Sequence, residues 1–282
     1  LWIAAYVLVT LLNQIALKWA SAQGVSTAQA LIVRGAVCSL LAIAVATGLG
    51  EAILPKHIKH QFIRFINAGF VLAALMASYH FISATSVSLI SRMDIPIMVV
   101  AATSLGCNSN TFQRVLAYCT LGLTGLFIFV SSHNESTFGY FLAISGVVAN
   151  VIGYVFLQTS VNSESPAVVA LVPGIASVVF GLSIGIATKV SIVWSAKENG
   201  VLVCTGVAMY LMYKISIGLY KSLSLIGAQY PTILIPALSM PLEAWIMNRS
   251  FDAIYVLLTM IIMALLTGVL AAGRNNHESR QI

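Results

Sequence analysis

An arginine, an aspartate and a proline stand together in Arg92-Met93-Asp94-Ile95-Pro96, inside a run that is otherwise apolar and long enough to cross a bilayer. A charge at membrane depth costs at least ~2.5–3.5 kcal/mol on insertion scales, so such groups line a cavity or pair internally. Proline there frees a backbone carbonyl that a neighbour must satisfy. On an unbroken helix, residues two apart point about 200° from each other, so Arg92 and Asp94 are expected to reach other helices or a solute separately. In the functional reading Arg92 meets an anionic group while Asp94 balances it or carries a proton. The plain alternative is a pair of interhelical salt bridges that lock a bundle.

Other polar residues sit in apolar runs. Arg34 lies near the middle of one, where it either binds a solute or pairs with Asp94. Tyr79 and His80 are adjacent, so one of them faces inward; a histidine there can titrate near neutral pH or simply bond a neighbouring helix. Tyr210 and Lys214 are four apart and share a helix face, with Tyr213 beside them, which offers an aromatic wall next to a cation. The alternative for Lys214 is snorkelling to the interface. Asn13 and Gln14 give one run a polar face, and Asn150, Tyr154 and Gln158 form an i, i+4, i+8 stripe in another. Asn150 and Tyr154 are read as cavity-lining, and Gln158 as helix glue. Pro96, Pro173-Gly174, Pro231 and Pro236 are candidate hinges, because kinks at such positions have a defined cause. Glu243 is read as a cap or ion-pair partner near a membrane face. No metal-type spacing, no cofactor motif, and neither His-Glu-x-x-His nor Gly-x-Ser-x-Gly occurs, so no metal, cofactor or enzymatic activity is expected. Cys38, Cys107, Cys119 and Cys204 are read as small packing residues.

These residues require membrane-spanning helices to position them. Of the 282 residues 59% are hydrophobic and only 8% charged, with a mean hydropathy of +0.96, whereas soluble domains carry roughly 25% charged residues. The net charge of +6 is scattered among short loops, which argues against a nucleic-acid surface. Ten runs reach the length of a span: about Leu1–Ala20, Ala28–Leu49, Phe65–Ser83, Ser86–Gly106, Gln113–Ser131, Phe138–Thr159, Pro166–Thr188, Gly200–Tyr220, Leu225–Met247 and Phe251–Ala272. The run at Leu1 is read as a span and not as a signal peptide. Lys56, Lys59, Arg64, Arg114, Lys221, Arg274 and Arg280 fall on one side; Lys18, Lys189, Lys197 and Arg249 fall on the other. Seven against four place both termini in the cytoplasm.

An internal repeat accompanies the spans. Val33-Arg34-Gly35 matches Val172-Pro173-Gly174, Ile95-Pro96 matches Tyr230-Pro231, Ser104 matches Ser239, and Asn13 matches Asn150, all at offsets of 134–139 residues. Five spans per copy is an odd number, so the second copy is inverted, and inverted repeats with a site between them are a transporter architecture. The expected fold is an all-α membrane protein of ten transmembrane helices in two inverted five-helix repeats, residues 1–132 and 133–282.

The chain resembles the drug/metabolite transporter superfamily in its ten-helix EamA-like form, to which nucleotide-sugar and triose-phosphate transporters are related. The resemblance covers essentially the whole chain. It rests on Asn13-Gln14 with Lys18, on Arg34, on Ala84-Thr85-Ser86 leading to Pro96, and on Leu242-Glu243 after a proline-containing span. Members often carry a Gly-Glu pair at the ends of the fourth and ninth helices; here Glu243 lacks its glycine and Asn108 holds the other position. The resemblance implies a carrier with a central cavity and alternating access. A surplus of deep positive charge, Arg34, Arg92 and Lys214 over Asp94, favours an anionic or zwitterionic solute such as an amino acid or organic anion. Its expected partners are that solute, the lipid bilayer, and a coupled proton or counter-substrate. A bacterial inner membrane is the expected location. The alternatives are an exporter of nucleotide-linked metabolites or drugs, a non-transporting scaffold, and an intramembrane enzyme.

Overall fold

The computed structural model describes residues 2–104, 110–190, 195–222 and 227–278, with side chains outside 155–162, 220–230 and 274–278. The side chains of Gln158, Lys221 and Arg274, and all of Cys107, Asn108 and Arg280, lie outside the described residues. Every described element is helical: α1 (Trp2–Ala22), α2 (Thr27–Leu49), α3 (Ile58–Ser78), α4 (Ala84–Ser91), α5 (Asp94–Ser104), α6 (Thr111–Ser131), α7 (Thr137–Ser163), α8 (Pro166–Thr188), α9 (Ala196–Ser222), a 3-10 segment (Gly227–Leu234), α10 (Ile235–Met247) and α11 (Ala253–Glu278). Nine stretches among the described residues are long and apolar enough to cross a bilayer, with α4 and α5 counted as one, and Pro231–Met247 is a shorter apolar helix. The protein is an integral, multi-pass, all-helical membrane protein.

Local chemistry sets the ends. Ser26, Ser83, Asn110 and Ser165 each accept a backbone N–H in the first turn of the helix that follows, as N-caps do. Gly50 closes α2 in the left-handed region at φ 66°. One boundary differs clearly from expectation. α3 starts at Ile58, two turns before the apolar run at Phe65, so Arg64 is a helical and not a loop residue. Hydropathy hides this start because Lys59, His60 and Arg64 interrupt it. Arg64 is nevertheless 5% exposed, its guanidinium bonding Gln61 Oε1 at 2.8 Å and the Val169 carbonyl at 3.1 Å.

The largest departure is the break between α4 and α5. Pro96 has no N–H, and its ring crowds the carbonyl four residues back, which belongs to Arg92. The ladder tightens there: Arg92 N bonds Leu89 O at 3.1 Å and Met93 N bonds Ile90 O at 2.9 Å, both three residues back. Pro231 sits inside the 3-10 segment, and Pro236 stands in the first turn of α10, where its missing N–H is not needed. The 200° separation of Arg92 and Asp94, argued for a continuous helix, therefore does not apply.

The broken pair α4–α5 is central. In its most apolar 18 residues 72% are buried, against 28–56% in the corresponding stretches of the other eight spans, and all eight residues of α4 are buried. α4 packs on α7 and α10, and α5 on α6 and α7, while α2 lies along α8, α3 along α7 and α8, α9 along α1 and α2, and α11 along α6. The α2–α8 crossing is tight. A Cβ on Gly35 would meet Gly174 O at 2.6 Å and Ser177 Cβ at 2.7 Å. α8 runs through Pro173 without interruption, and Gly174 lies at the close-packed crossing. Gly35→Ala is expected to lower the melting temperature of the purified protein by the equivalent of about 1–3 kcal/mol of overpacking strain. Gly48→Ala, with open space around it, is the matched control and should be near neutral.

Candidate functional site

Three polar clusters run through the bundle from one end to the other. At the end where α1, α3, α6 and α10 finish, two glutamates hold the start of α4. Glu135 accepts the Ser83 N–H at 2.8 Å and the Ser86 hydroxyl at 2.6 Å, and it also accepts from the Tyr140 hydroxyl. Glu243 accepts the Ala84 and Thr85 N–H groups at 3.1 and 3.0 Å and the Thr85 hydroxyl at 3.0 Å. Arg249 joins them, 2.5 Å from Glu135 and 3.7 Å from Glu243. Lys18 donates to the carbonyls of Tyr79 and Ile82, at 2.7 and 2.8 Å, and so closes the turn before α4. Anions at a helix N-terminus meet both its free N–H groups and the positive end of its dipole. Glu243 thus caps and pairs as expected from its position. Glu135 was not visible as a functional residue, since it lies in a short polar connection between two spans.

The middle layer holds the deep charges. Arg34 on α2 is 5% exposed, with its Nη1 3.1 Å from the Met76 sulfur and its Nε without a partner. No carboxylate pairs with it among the described residues, so the Arg34–Asp94 ion pair offered as one alternative does not form. Tyr79 and Tyr213 are within its electrostatic reach, and Tyr213 also within that of Arg64. Arg92, at the α4–α5 break, donates to the Thr232 hydroxyl of the 3-10 segment. Asp94, the first residue of α5, is 0% exposed and accepts from the Tyr154 hydroxyl at 2.7 Å. Tyr6 of α1 is within electrostatic reach of both Arg92 and Asp94. Asn13 and Gln14 are buried in α1 with side-chain oxygens that meet no partner among the described residues, and Asn150 is half-buried on α7 one turn from Tyr154.

Two expected members stand apart. His80 is exposed in the turn after α3, placed there because α3 ends at Ser78 rather than at Ser83. Lys214 is exposed, its ammonium 6.0 Å from the Tyr210 ring centroid, and so is not one of the deep charges. Tyr210 and Lys214 line a crevice with Val45, Glu51, Pro166 and Ala167 of ≈ 10 Å³, the space of about one water. Arg64, counted in a loop from sequence, takes the place of Lys214 among the buried cations.

At the opposite end, Glu164 joins α7 to α8 and accepts the N–H groups of Lys56 and His57, both at 2.9 Å. Burial pushes its carboxyl up, but these two donors and the neighbouring His57 outweigh it and hold the group below the usual carboxylate range. Among the described residues no group of three or more His, Cys, Asp or Glu side chains could hold a metal ion. Cys38, Cys119 and Cys204 are free thiols.

No family model matches the chain, and no curated protein matches it either. Among solved structures the chain is similar to a crystal structure with which it shares 15% sequence identity, at a TM-score of 0.68, over 97% of this chain and 96% of that one. At that identity the likeness concerns the fold: the whole helical arrangement recurs in an experimentally determined protein.

Proposed function

We propose that the protein is a secondary transporter that moves a small polar metabolite bearing an anionic group by alternating access, with the site between the α4–α5 break and the 3-10 segment. The observation that carries this reading is Arg34: a guanidinium 5% exposed in mid-helix with no carboxylate partner among the described residues. A buried charge without a counter-ion is costly, and an anionic solute is the group that would relieve it. Tyr79 and Tyr213 lie within its electrostatic reach, and Tyr79 is within reach of Arg92 as well. Discontinuous helices at the centre of a membrane bundle are where carriers build such sites.

The inverted repeat is part of the proposal, and the packing supports it. Exchanging the first five spans with the last five maps α2–α8 and α6–α11 onto themselves, α3–α7 onto α9–α1, and α2–α9 onto α8–α3, all of which pack. Gly35 and Gly174, matched by the sequence repeat, face each other at the α2–α8 crossing. In the proposed orientation both termini face the cytoplasm of a bacterial cell. The glutamate cluster then closes the outer side and Glu164 lies on the inner side.

The test is a thermal-shift panel of amino acids, organic anions and nucleotide-linked metabolites on the purified protein, since a ligand of the folded state stabilises it by mass action. A compound that stabilises must then exchange across reconstituted vesicles in counterflow. Stabilisation without exchange would count for a binding or scaffold role instead.

A further inference from the structure

Four acids are buried among the described residues: Asp94, Glu135, Glu164 and Glu243. Each glutamate is held by two or more donors. Asp94 differs. It lies at the centre of the bundle, its Oδ2 takes a hydrogen bond from Tyr154, the Ile95 N–H is within reach of the carboxylate, and its Oδ1 meets no close donor among the described residues. Its neighbouring cation, Arg92, lies within electrostatic reach of it while its guanidinium bonds the Thr232 hydroxyl. Among the described residues, the titratable or charged groups that face Asp94 are Arg92 at the break, Tyr154 from α7 and Tyr6 from α1.

Opposed forces meet at this carboxyl. Complete burial favours its neutral form, whereas the positive end of α5 and a cation two residues away favour the charged one. The position of Arg92 therefore decides between them. A metal cation is a poor occupant, since it needs several oxygen ligands and would sit beside a guanidinium. A proton needs one oxygen and a hydroxyl such as that of Tyr154, which both donates and accepts.

We propose that Asp94 is a proton-binding site, occupied while Arg92 is bonded to Thr232 and emptied when Arg92 turns from Thr232 to the carboxylate. Because the same arginine lies in the proposed solute site, an anion that holds Arg92 away from Asp94 keeps the proton bound. Anion and proton would then travel together. The coupling rests on the transporter reading; the proton site itself does not.

Infrared spectra of the reconstituted protein, with no solute present, test the site. The wild type at neutral pH is expected to show the C=O stretch of a protonated, buried carboxyl, and Asp94→Asn to lose it. Tyr154→Phe should keep the band and move it to higher frequency, since the carbonyl loses its donor; this variant serves if Asp94→Asn fails to fold. Thr232→Val, which removes the anchor of Arg92, should reduce the band. Spectra in which wild type and Asp94→Asn coincide in the carboxyl region, or in which Tyr154→Phe leaves the band in place, would overturn the proton site. A band indifferent to Thr232→Val would overturn its control by Arg92. None of these outcomes depends on whether a transported solute is found.

Discussion

Glu243→Ala is expected to lower the stability of the folded protein by about 3–5 kcal/mol, the cost of leaving a buried charge network without one of its members. Glu243 is 0% exposed and is the shared acceptor for the Ala84 and Thr85 N–H groups and the Thr85 hydroxyl, with Arg249 beside it. Removing it orphans three donors at once, in a bundle core where water does not replace it. It also loosens α4, the most buried helix, at the end that α10 holds. Glu243→Gln keeps an acceptor oxygen and is expected to lose less. Asp252→Ala, which removes an exposed 3.1 Å contact from Asn134, should change stability by less than about 0.5 kcal/mol. Thermal melts of the three variants check this; equal losses for Glu243→Ala and Asp252→Ala would contradict the capping role.

Arg34→Met is expected to move stability the other way. Replacing a buried charge by an apolar side chain of similar volume is often stabilising, by about 1–4 kcal/mol where ion pairs have been replaced. Arg34 gives up less than such a pair, because its hydrogen bond is to a thioether and its Nε is unpartnered. The flexible methionine can pack against Met76, its present partner. The same change removes the cation proposed to receive the solute. A structural arginine would lower stability when lost; a solute-binding one raises it and abolishes the ligand's effect. Few substitutions separate the two roles so cleanly, since the signs are opposite.

Sequence patterning carried a large part of the fold for a physical reason. A bilayer imposes a fixed length on each span and a penalty on each charge within it, and both are written in composition. α8 shows this best: Pro166–Thr188 reads the same in hydropathy and in structure, because a serine-proline start and an apolar run define it. The start of α3 was hidden because Arg64 satisfies its charge through Gln61 and a carbonyl on another helix, a partner that no local pattern shows. The break at Arg92 was legible in part: Pro96 marks a kink, and the crowding acts four residues earlier, on the charged residue itself. Arg34 and Asp94 were visible as deep charges, whereas their partners were not. Met76, Thr232 and Tyr154 are 42, 140 and 60 residues away from Arg34, Arg92 and Asp94 respectively, and only the packed bundle brings each to its site. His80 and Lys214 are exposed beside a buried Tyr79 and a half-buried Tyr213, a difference between chain neighbours that hydropathy alone does not resolve.

The most direct measurement is the melting temperature of wild type and Arg34→Met, each with and without the anionic members of the metabolite panel. Free ligand at about 100 times its dissociation constant stabilises a folded protein by about 2.7 kcal/mol, well within reach of a thermal melt. A buried cation awaiting an anion predicts that Arg34→Met melts higher than wild type without ligand and shows no shift with it, while wild type shifts upward. A variant that melts lower than wild type and shifts as much with the same ligand would show that Arg34 holds the bundle together and that the solute binds elsewhere.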